Sequence, residues 1–266
     1  MIEKFWGLDQ RPFANTPDPA FTVRSPTFEE GFARLLYDVT ELRAGLSLIT
    51  GEVGCGKTML AAALAERLAG TPQAPIALVT PRLTPVQLLR AVAGLLGLEG
   101  LPRARHALAE ALAAHLAALH AAGRRPVLLV DEAQLAPKSL LEEIRLLTNY
   151  EDRTDKHLHV VLFGQPELRR RVASSPQLDQ RISLRYHIEP LDADEVAAYV
   201  SHRLKVAGAN GRRIFDGPAL GALAERSGGV PRLVNNLATQ ALFVGAMRKA
   251  AAIDAALVAD VADDRQ

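Results

Sequence analysis

A single cysteine, Cys55, stands among the 266 residues, so the chain can form neither an internal disulfide nor a cysteine-built metal site. That scarcity fits a reducing compartment. An excess of one charge is lacking too: 31 Lys and Arg against 30 Asp and Glu leave a net +1 with the signs interspersed, a balance that marks neither nucleic acid nor an anionic membrane as partner. No uncharged stretch approaches the roughly 20 apolar residues that span a bilayer. The opening "MIEKFWGLDQRPF" has neither the apolar stretch nor the small-residue cleavage site of a secretory signal. These absences set the expectation of a cytoplasmic protein without a membrane span. Internal repeats and low-complexity linkers are missing as well, the alanine-rich stretch 104–123 coming closest. Apolar residues make up 48% of the chain, enough to bury a sizeable core in one large domain or two small ones.

Glycine is concentrated where "SLITGEVGCGKTML" runs from 47 to 60. Gly51, Gly56, Lys57 and Thr58 match the pattern of a phosphate-binding loop. Glycines there let successive backbone N–H groups turn inward around phosphate oxygens, and the helix opening at Lys57 aims further N–H groups and its positive dipole end at the same point. The candidate nucleotide-binding set is Gly51, Glu52, Val53, Gly54, Cys55, Gly56, Lys57, Thr58 and Met59. Lys57 is expected at the β- and γ-phosphates and the Thr58 hydroxyl on Mg2+.

Downstream, "PVLLVDEAQ" is an apolar strand ending in two carboxylates, which a buried strand does not need. Behind a phosphate loop they acquire roles. Asp131 holds magnesium, through Thr58 or water, and is counted with the nucleotide-binding residues. Glu132 is placed to polarise the water that attacks the γ-phosphate. The Asn-Lys-x-Asp guanine pattern is absent, which selects ATP with Mg2+. Gln165 follows the strand "HLHVVLFG", at the edge where parallel sheets bind ligands, and can orient water. Arg181 precedes another strand at the sheet's rim, and Arg232 opens a helix behind "SGGVP". A cation at a helix start is mildly unfavourable unless a phosphate answers it.

The order of elements predicts a parallel sheet with helices on both faces. Residues 1–24 read as an extended segment. A helix is predicted from Ser25–Thr27 to a stop at Gly45, with Phe28, Phe32, Leu35, Leu36, Val39 and Leu42 on its apolar face. Strands are predicted over 46–50, 75–80, 158–164 and 182–188, besides the one ending at Asp131. Helices follow 57–70, open at Thr84–Pro85, and cover 104–121, 138–149 and a segment from Pro166. From Asp192 only helices follow, which sets a boundary near Leu191.

Eight phrases in order, "FWGLDQRPFANTPDPAF", "GEVGCGKT", "LLVDEAQ", "LLEEIRLLTNYE", "VVLFGQPEL", "DQRISLRYHIEPL", "EVAAYVSHRLKVAG" and "GGVPRLVNNLATQAL", resemble AAA+ ATPases of the ExeA/GspA type, associated with type II secretion and related envelope assembly systems. The resemblance implies an α/β P-loop NTPase domain over 1–191 and a small all-α lid domain over 192–266. It implies Lys57 and Thr58 as Walker A, Asp131 and Glu132 as Walker B, Gln165 as sensor one, Arg181 as the arginine finger with Arg185 as the competitor, and Arg232 as sensor two. It further implies a homo-oligomeric ring such as a hexamer, envelope assembly proteins as partners, and an opening "PF…TPDP" segment near the adenine. Two departures stand out. The family usually has Asn where Thr80 precedes Pro81, which puts that residue's switch role in doubt. Secretion members also continue into a membrane helix and a periplasmic region, whereas this sequence ends at Gln266, so it is not expected to reach the cell wall itself.

Transposition ATPases of the TniB/TnsC kind are similar in the same motifs, so an ATP-dependent DNA-binding regulator is the competing function. Its candidate contacts are Arg169, Arg170 and Arg171, and Arg103, Arg105, Arg124 and Arg125. A nucleotide switch that does not hydrolyse is disfavoured by the intact Glu132.

Overall fold

The computed structural model describes residues 2–15, 19–21, 23–78, 82–153 and 155–264. Along the chain lie α1 (Ile2–Trp6), a 3-10 turn at Pro19–Phe21, α2 (Pro26–Tyr37), β1 (Leu46–Gly51), α3 (Lys57–Leu68), β2 (Pro75–Leu78), α4 (Pro85–Leu95), α5 (Arg105–Ala121) and β3 (Val127–Val130). There follow α6 (Lys138–Leu147), β4 (His159–Gly164), α7 (Glu167–Ala173), α8 (Pro176–Asp179), β5 (Leu184–Ile188), α9 (Ala193–Val206), α10 (Gly217–Ser227), α11 (Pro231–Met247) and α12 (Ala255–Asp263). Contacts divide the chain into two units. One holds Phe28–Gly51 and Lys57–Ile188; the other holds Met1–Thr27, Glu52–Gly56 and Glu189–Gln266.

The first unit is built on one parallel sheet in the order β2-β3-β4-β1-β5. β1 and β4 are buried at every position, as a parallel sheet covered on both faces requires. α3 lays Leu60, Leu64 and Leu68 on one buried face, the i, i+4, i+8 spacing of a helix stripe. α4 starts at a full capping box: Thr84 takes the Gln87 N–H while the Gln87 side chain takes the Thr84 N–H. The strands and α4, α5 and α6 close a core rich in Leu and Val.

The predicted helix to Gly45 differs in its last turn. It is α-helical only to Tyr37 and continues as a π-helix over Asp38–Leu42, ending at Arg43 in the left-handed region. The wider turn changes the phase of the face. Asp38 turns inward to accept hydrogen bonds from the Ser47 and Ser183 hydroxyls at 2.5 and 2.9 Å, and Leu42, assigned to the apolar face, is exposed.

The second unit has its own core, in which α9, α10, α11 and α12 pack around Val200, Leu223, Leu237 and Val258. α9 begins with a capping box of Asp192 and Glu195, and Asp216 and Asp254 cap α10 and α12. Residues 1–24 are not simply extended, since α1 buries Trp6 and the indole N–H donates to the Leu242 carbonyl at 2.9 Å. A helix of this length is too short to show periodicity in sequence; its tertiary anchor holds it. Arg203 donates to the Pro12 carbonyl at 2.6 Å and the Ala14 carbonyl at 2.8 Å, and the buried Asn235 joins Asn15 to the Tyr199 hydroxyl. The phrases around Tyr199–Arg203 and Asn235 thus fasten the N-terminal segment, Arg203 through backbone carbonyls and Asn235 through the Asn15 side chain.

Candidate nucleotide site

Parallel register lines up three strand ends. Thr50 pairs with Gly164 and Val130 with Leu162, so Gly51, Asp131 and Gln165 emerge at the same C-terminal edge. The segment after β1 turns through Gly54 at φ +88° and Gly56 at φ +97°, conformations that side-chain-bearing residues rarely adopt. Gly54 is also held close: a Cβ there would fall 2.5 Å from the Arg232 Cβ. Arg232, exposed in the first turn of α11, therefore lies beside the loop backbone. Cys55 is buried within the loop, while Val53 and Met59 are exposed.

Lys57 is buried, and its ammonium donates to the Gly51 carbonyl at 2.8 Å. One residue on, the Thr58 hydroxyl donates to Asp131 Oδ2 at 2.8 Å, and Asp131 Oδ1 accepts the Glu132 backbone N–H at 2.8 Å. A hydroxyl and a carboxylate side by side are hard oxygen donors of the kind Mg2+ takes, in the small number it needs when phosphates and waters complete its shell. Thr58 and Asp131 fit the ion. Lys57 and the inward-turning glycines fit the phosphates.

Glu132 holds a left-handed backbone at φ +52°, which is uncommon for a non-glycine residue. Its carboxylate is oriented by a residue that the sequence alone did not single out. Gln134 Nε2 donates to Glu132 Oε2 at 2.6 Å, and Gln134 Oε1 accepts the backbone N–H of Gln165 at 3.0 Å. One amide joins the two water-handling candidates. Arg171 donates to the carbonyls of Gln134 and Ala136, pinning the turn from behind. The signal was present as the "AQ" after "VDE", but a glutamine gains meaning there only when the fold brings Gln165 alongside.

Arg181 lies elsewhere. Gly51 pairs with Ile188 and Ser47 with Leu184, so β5 enters the sheet at the edge opposite the phosphate loop. At a rise of about 3.3 Å per residue β5 spans roughly 13 Å, and Arg181 lies before its start at Leu184. It lines a groove of about 320 Å3 with Lys156, Gln180 and Ser183. Among the described residues no carboxylate pairs with it. Burial, and then the Arg181 charge, hold the Lys156 ammonium below the usual lysine range. Arg185 differs: it donates to the Asp179 carboxylate at 3.0 Å and to the Asp179 and Ile182 carbonyls.

The arginine groups weighed as DNA contacts are partly committed inside the unit. Arg105 pairs with Glu143 at 2.6 Å, Arg125 with Asp155 at 3.3 Å, and Arg171 serves the turn after Glu132. Thr80, and Thr16, Pro17 and Asp18 of the "TPDP" segment, lie outside the described residues. Of the same segment, Phe13 is buried edge-on against Phe215. No helix among the described residues is long and apolar enough to cross a membrane.

A family profile described as an AAA domain matches residues 40–172. General secretion pathway protein A of Aeromonas hydrophila is 40% identical over 254 residues, covering 93% of this chain and 45% of that protein; the chain spans less than half the length of this curated relative. Among solved structures, Drosophila ORC bound to DNA aligns with a TM-score of 0.69 at 17% identity, over 98% of this chain and 64% of that one. Cdc6p from Pyrobaculum aerophilum aligns at 0.67 and 17% identity, over 90% and 68%. The Thermotoga maritima RuvB Holliday junction branch migration motor aligns at 0.58 and 18% identity, over 92% and 73%. At such identities these structures share the fold alone.

Proposed function

This chain belongs to the AAA family, as an AAA+ protein of the ExeA/GspA type, and from that premise we propose that it hydrolyses ATP to drive or regulate assembly of an envelope machine. The observation that carries the proposal is the convergence of Lys57, the Thr58–Asp131 pair and Glu132 at one sheet edge. In this reading the loop N–H groups and Lys57 bind the β- and γ-phosphates, Lys57 exchanging the Gly51 carbonyl for phosphate oxygens. Thr58 and Asp131 hold Mg2+, which when bound neutralises charge on those oxygens. Gln134 occupies Glu132 Oε2, which leaves Oε1 to take a proton from water as the water oxygen attacks the γ-phosphorus and ADP leaves. Gln165 orients that water, and Arg232 answers the phosphates from its own subunit. Residues 192–266 act as the lid.

The partner proposals follow from the relative. A chain 40% identical to a general secretion pathway protein is best read as serving a secretion, pilus or polysaccharide-export assembly, from the cytoplasmic side and as a homo-oligomeric ring. The internal commitment of Arg105, Arg125 and Arg171 weighs against a DNA-binding regulator.

The test is nucleotide binding and steady-state hydrolysis with Mg2+, with and without duplex DNA at two salt concentrations. Wild type should hydrolyse ATP, Lys57→Ala should lose binding, and Glu132→Gln should bind ATP with turnover lowered about 100-fold or more. Wild-type turnover in Glu132→Gln would remove the assigned base. Tight, ATP-dependent and steeply salt-sensitive DNA binding would favour the transposition-type reading instead.

A further inference from the structure

Apart from the nucleotide residues, one cluster brings together ligand types that suit a transition metal. His120 in the last turn of α5, Asp152 in the loop before β4, and His157 at the end of that loop place one ligand atom each within 4.8 Å of one another. His120 Nε2 is 3.0 Å from Asp152 Oδ2, and His157 Nε2 is 3.6 Å from the same oxygen. The imidazoles stack with centroids 4.7 Å apart.

The loop is fixed by its backbone. The Asp152 N–H donates to the Asp155 carbonyl and Asp152 Oδ1 accepts the Asp155 N–H, while the His157 N–H donates to the Tyr150 carbonyl. Asp152 Oδ1 is therefore committed, and Oδ2 faces both rings.

An independent observation points to a ligand. His157 is 8% exposed, and its Nε2, aimed at Asp152 Oδ2, is buried without a hydrogen-bond partner, as is His120 Nδ1. Orphaned buried nitrogens are costly, and native structures resolve them with water or an ion. The hydrogen bond from His120 to Asp152 accounts for one nitrogen of three. A metal ion between the three side chains satisfies His157 as well.

We infer that His120, Asp152 and His157 form a Zn2+-class metal site that ties the C-terminal end of α5 to the loop entering β4, with water as the fourth ligand. Two imidazoles and one carboxylate match three-ligand zinc sites, and imidazole selects zinc, cobalt or nickel over magnesium. Zn–N distances of about 2.0–2.1 Å in a tetrahedron give ligand–ligand separations of about 3.4 Å, between the 3.0 and 3.6 Å seen here. A cation there also faces the negative end of the α5 dipole. Asp152 keeps a solvent-accessible side, which provides both the entry path and the water position. The site is on the opposite sheet edge from Thr58 and Asp131, so its role is structural or regulatory.

The experiment is titration of the tag-free chain with Zn2+ in Mg2+ buffer, read by calorimetry and thermal unfolding. One zinc per chain should bind, and at about 100 times its Kd raise Tm by roughly 5–10 °C, reversibly with chelator. Asp152→Asn keeps the oxygen that caps Asp155 and removes the charge; it should weaken zinc at least tenfold without changing the metal-free Tm. His157→Gln should abolish binding. A wild-type chain that takes up no zinc, or an Asp152→Asn chain that binds it as tightly as wild type, overturns the assignment even if His157→Gln fails to fold.

Discussion

The two edges of the one sheet carry polar residues to opposite ends. At the C-terminal edge Lys57, Thr58, Asp131, Glu132 and Gln165 come together, with Thr58 exposed and Asp131, Glu132 and Gln165 half-buried, so that the set faces outward. At the N-terminal edge Asp38, Ser47, His159 and Ser183 close on one another, with Ser47 Oγ 2.5 Å from Asp38 Oδ2 and 2.7 Å from His159 Nε2. Outward-facing sets suit a ligand, and inward-closing sets hold strands in register. The first kind of change should be read in turnover and the second in stability. Arg181 crosses that division, being placed with the structural edge yet lacking a carboxylate partner among the described residues.

The largest effect should therefore come from the residue that breaks the pattern. Arg181→Ala is expected to lower hydrolysis roughly 1000-fold or more while ATP affinity and Tm stay at wild-type values, because an arginine supplied across subunits acts on the transferring phosphoryl group. Arg185→Ala, which removes an ion pair to Asp179, should cost far less turnover. Next comes Gln134→Ala, which frees Glu132 to leave its geometry. A roughly tenfold fall in kcat with unchanged KM is expected, since small misplacements of a catalytic group are costly. A fall in ATP affinity instead would make Gln134 a binding residue.

The N-terminal edge should respond in stability. Asp38→Ala removes the carboxylate that the buried Ser47 hydroxyl donates to, beside the buried His159, and should cost about 1–3 kcal/mol in denaturant unfolding, with hydrolysis per folded chain unchanged. Burial lowers the His159 pKa to about 4, with the Asp38 carboxylate acting in the other direction. The imidazole is thus neutral in the folded chain, and its contribution is complete above about pH 6.5, the unfolded value. It is lost as pH falls from there toward 4, at about 1.4 kcal/mol per pH unit. His159→Gln should flatten that part of the pH profile; an unchanged slope would mean that other groups set it.

What sequence made legible follows the same division. The glycine-rich loop pattern, the paired carboxylates after an apolar strand and the alternation of strand and helix are local patterns, so Gly51–Thr58, Asp131 and Glu132 stand out as candidates before any fold is known. Gln165 and Arg181 were placed by their position relative to strands, which register makes definite. Gln134 was not legible, because its role depends on β3 and β4 being neighbours. Nor was the π-helix at Asp38–Leu42, where Asp38 accepts hydrogen bonds from Ser47 just beyond the helix and from Ser183 far along the chain. α1 escaped for a related reason: five residues carry no period, and its anchor is a carbonyl of α11.

We propose that the nucleotide site is completed by a second copy of the chain, because Arg181 sits at the sheet edge away from its own loop. The direct test mixes Arg181→Ala chains with Lys57→Ala chains, each inactive alone and each supplying the half that the other lacks, and measures ATP hydrolysis. Recovered activity that rises with the mixing ratio and peaks near equal amounts is the predicted result. No recovery, with mixed oligomers demonstrated and both variants folded, would contradict it.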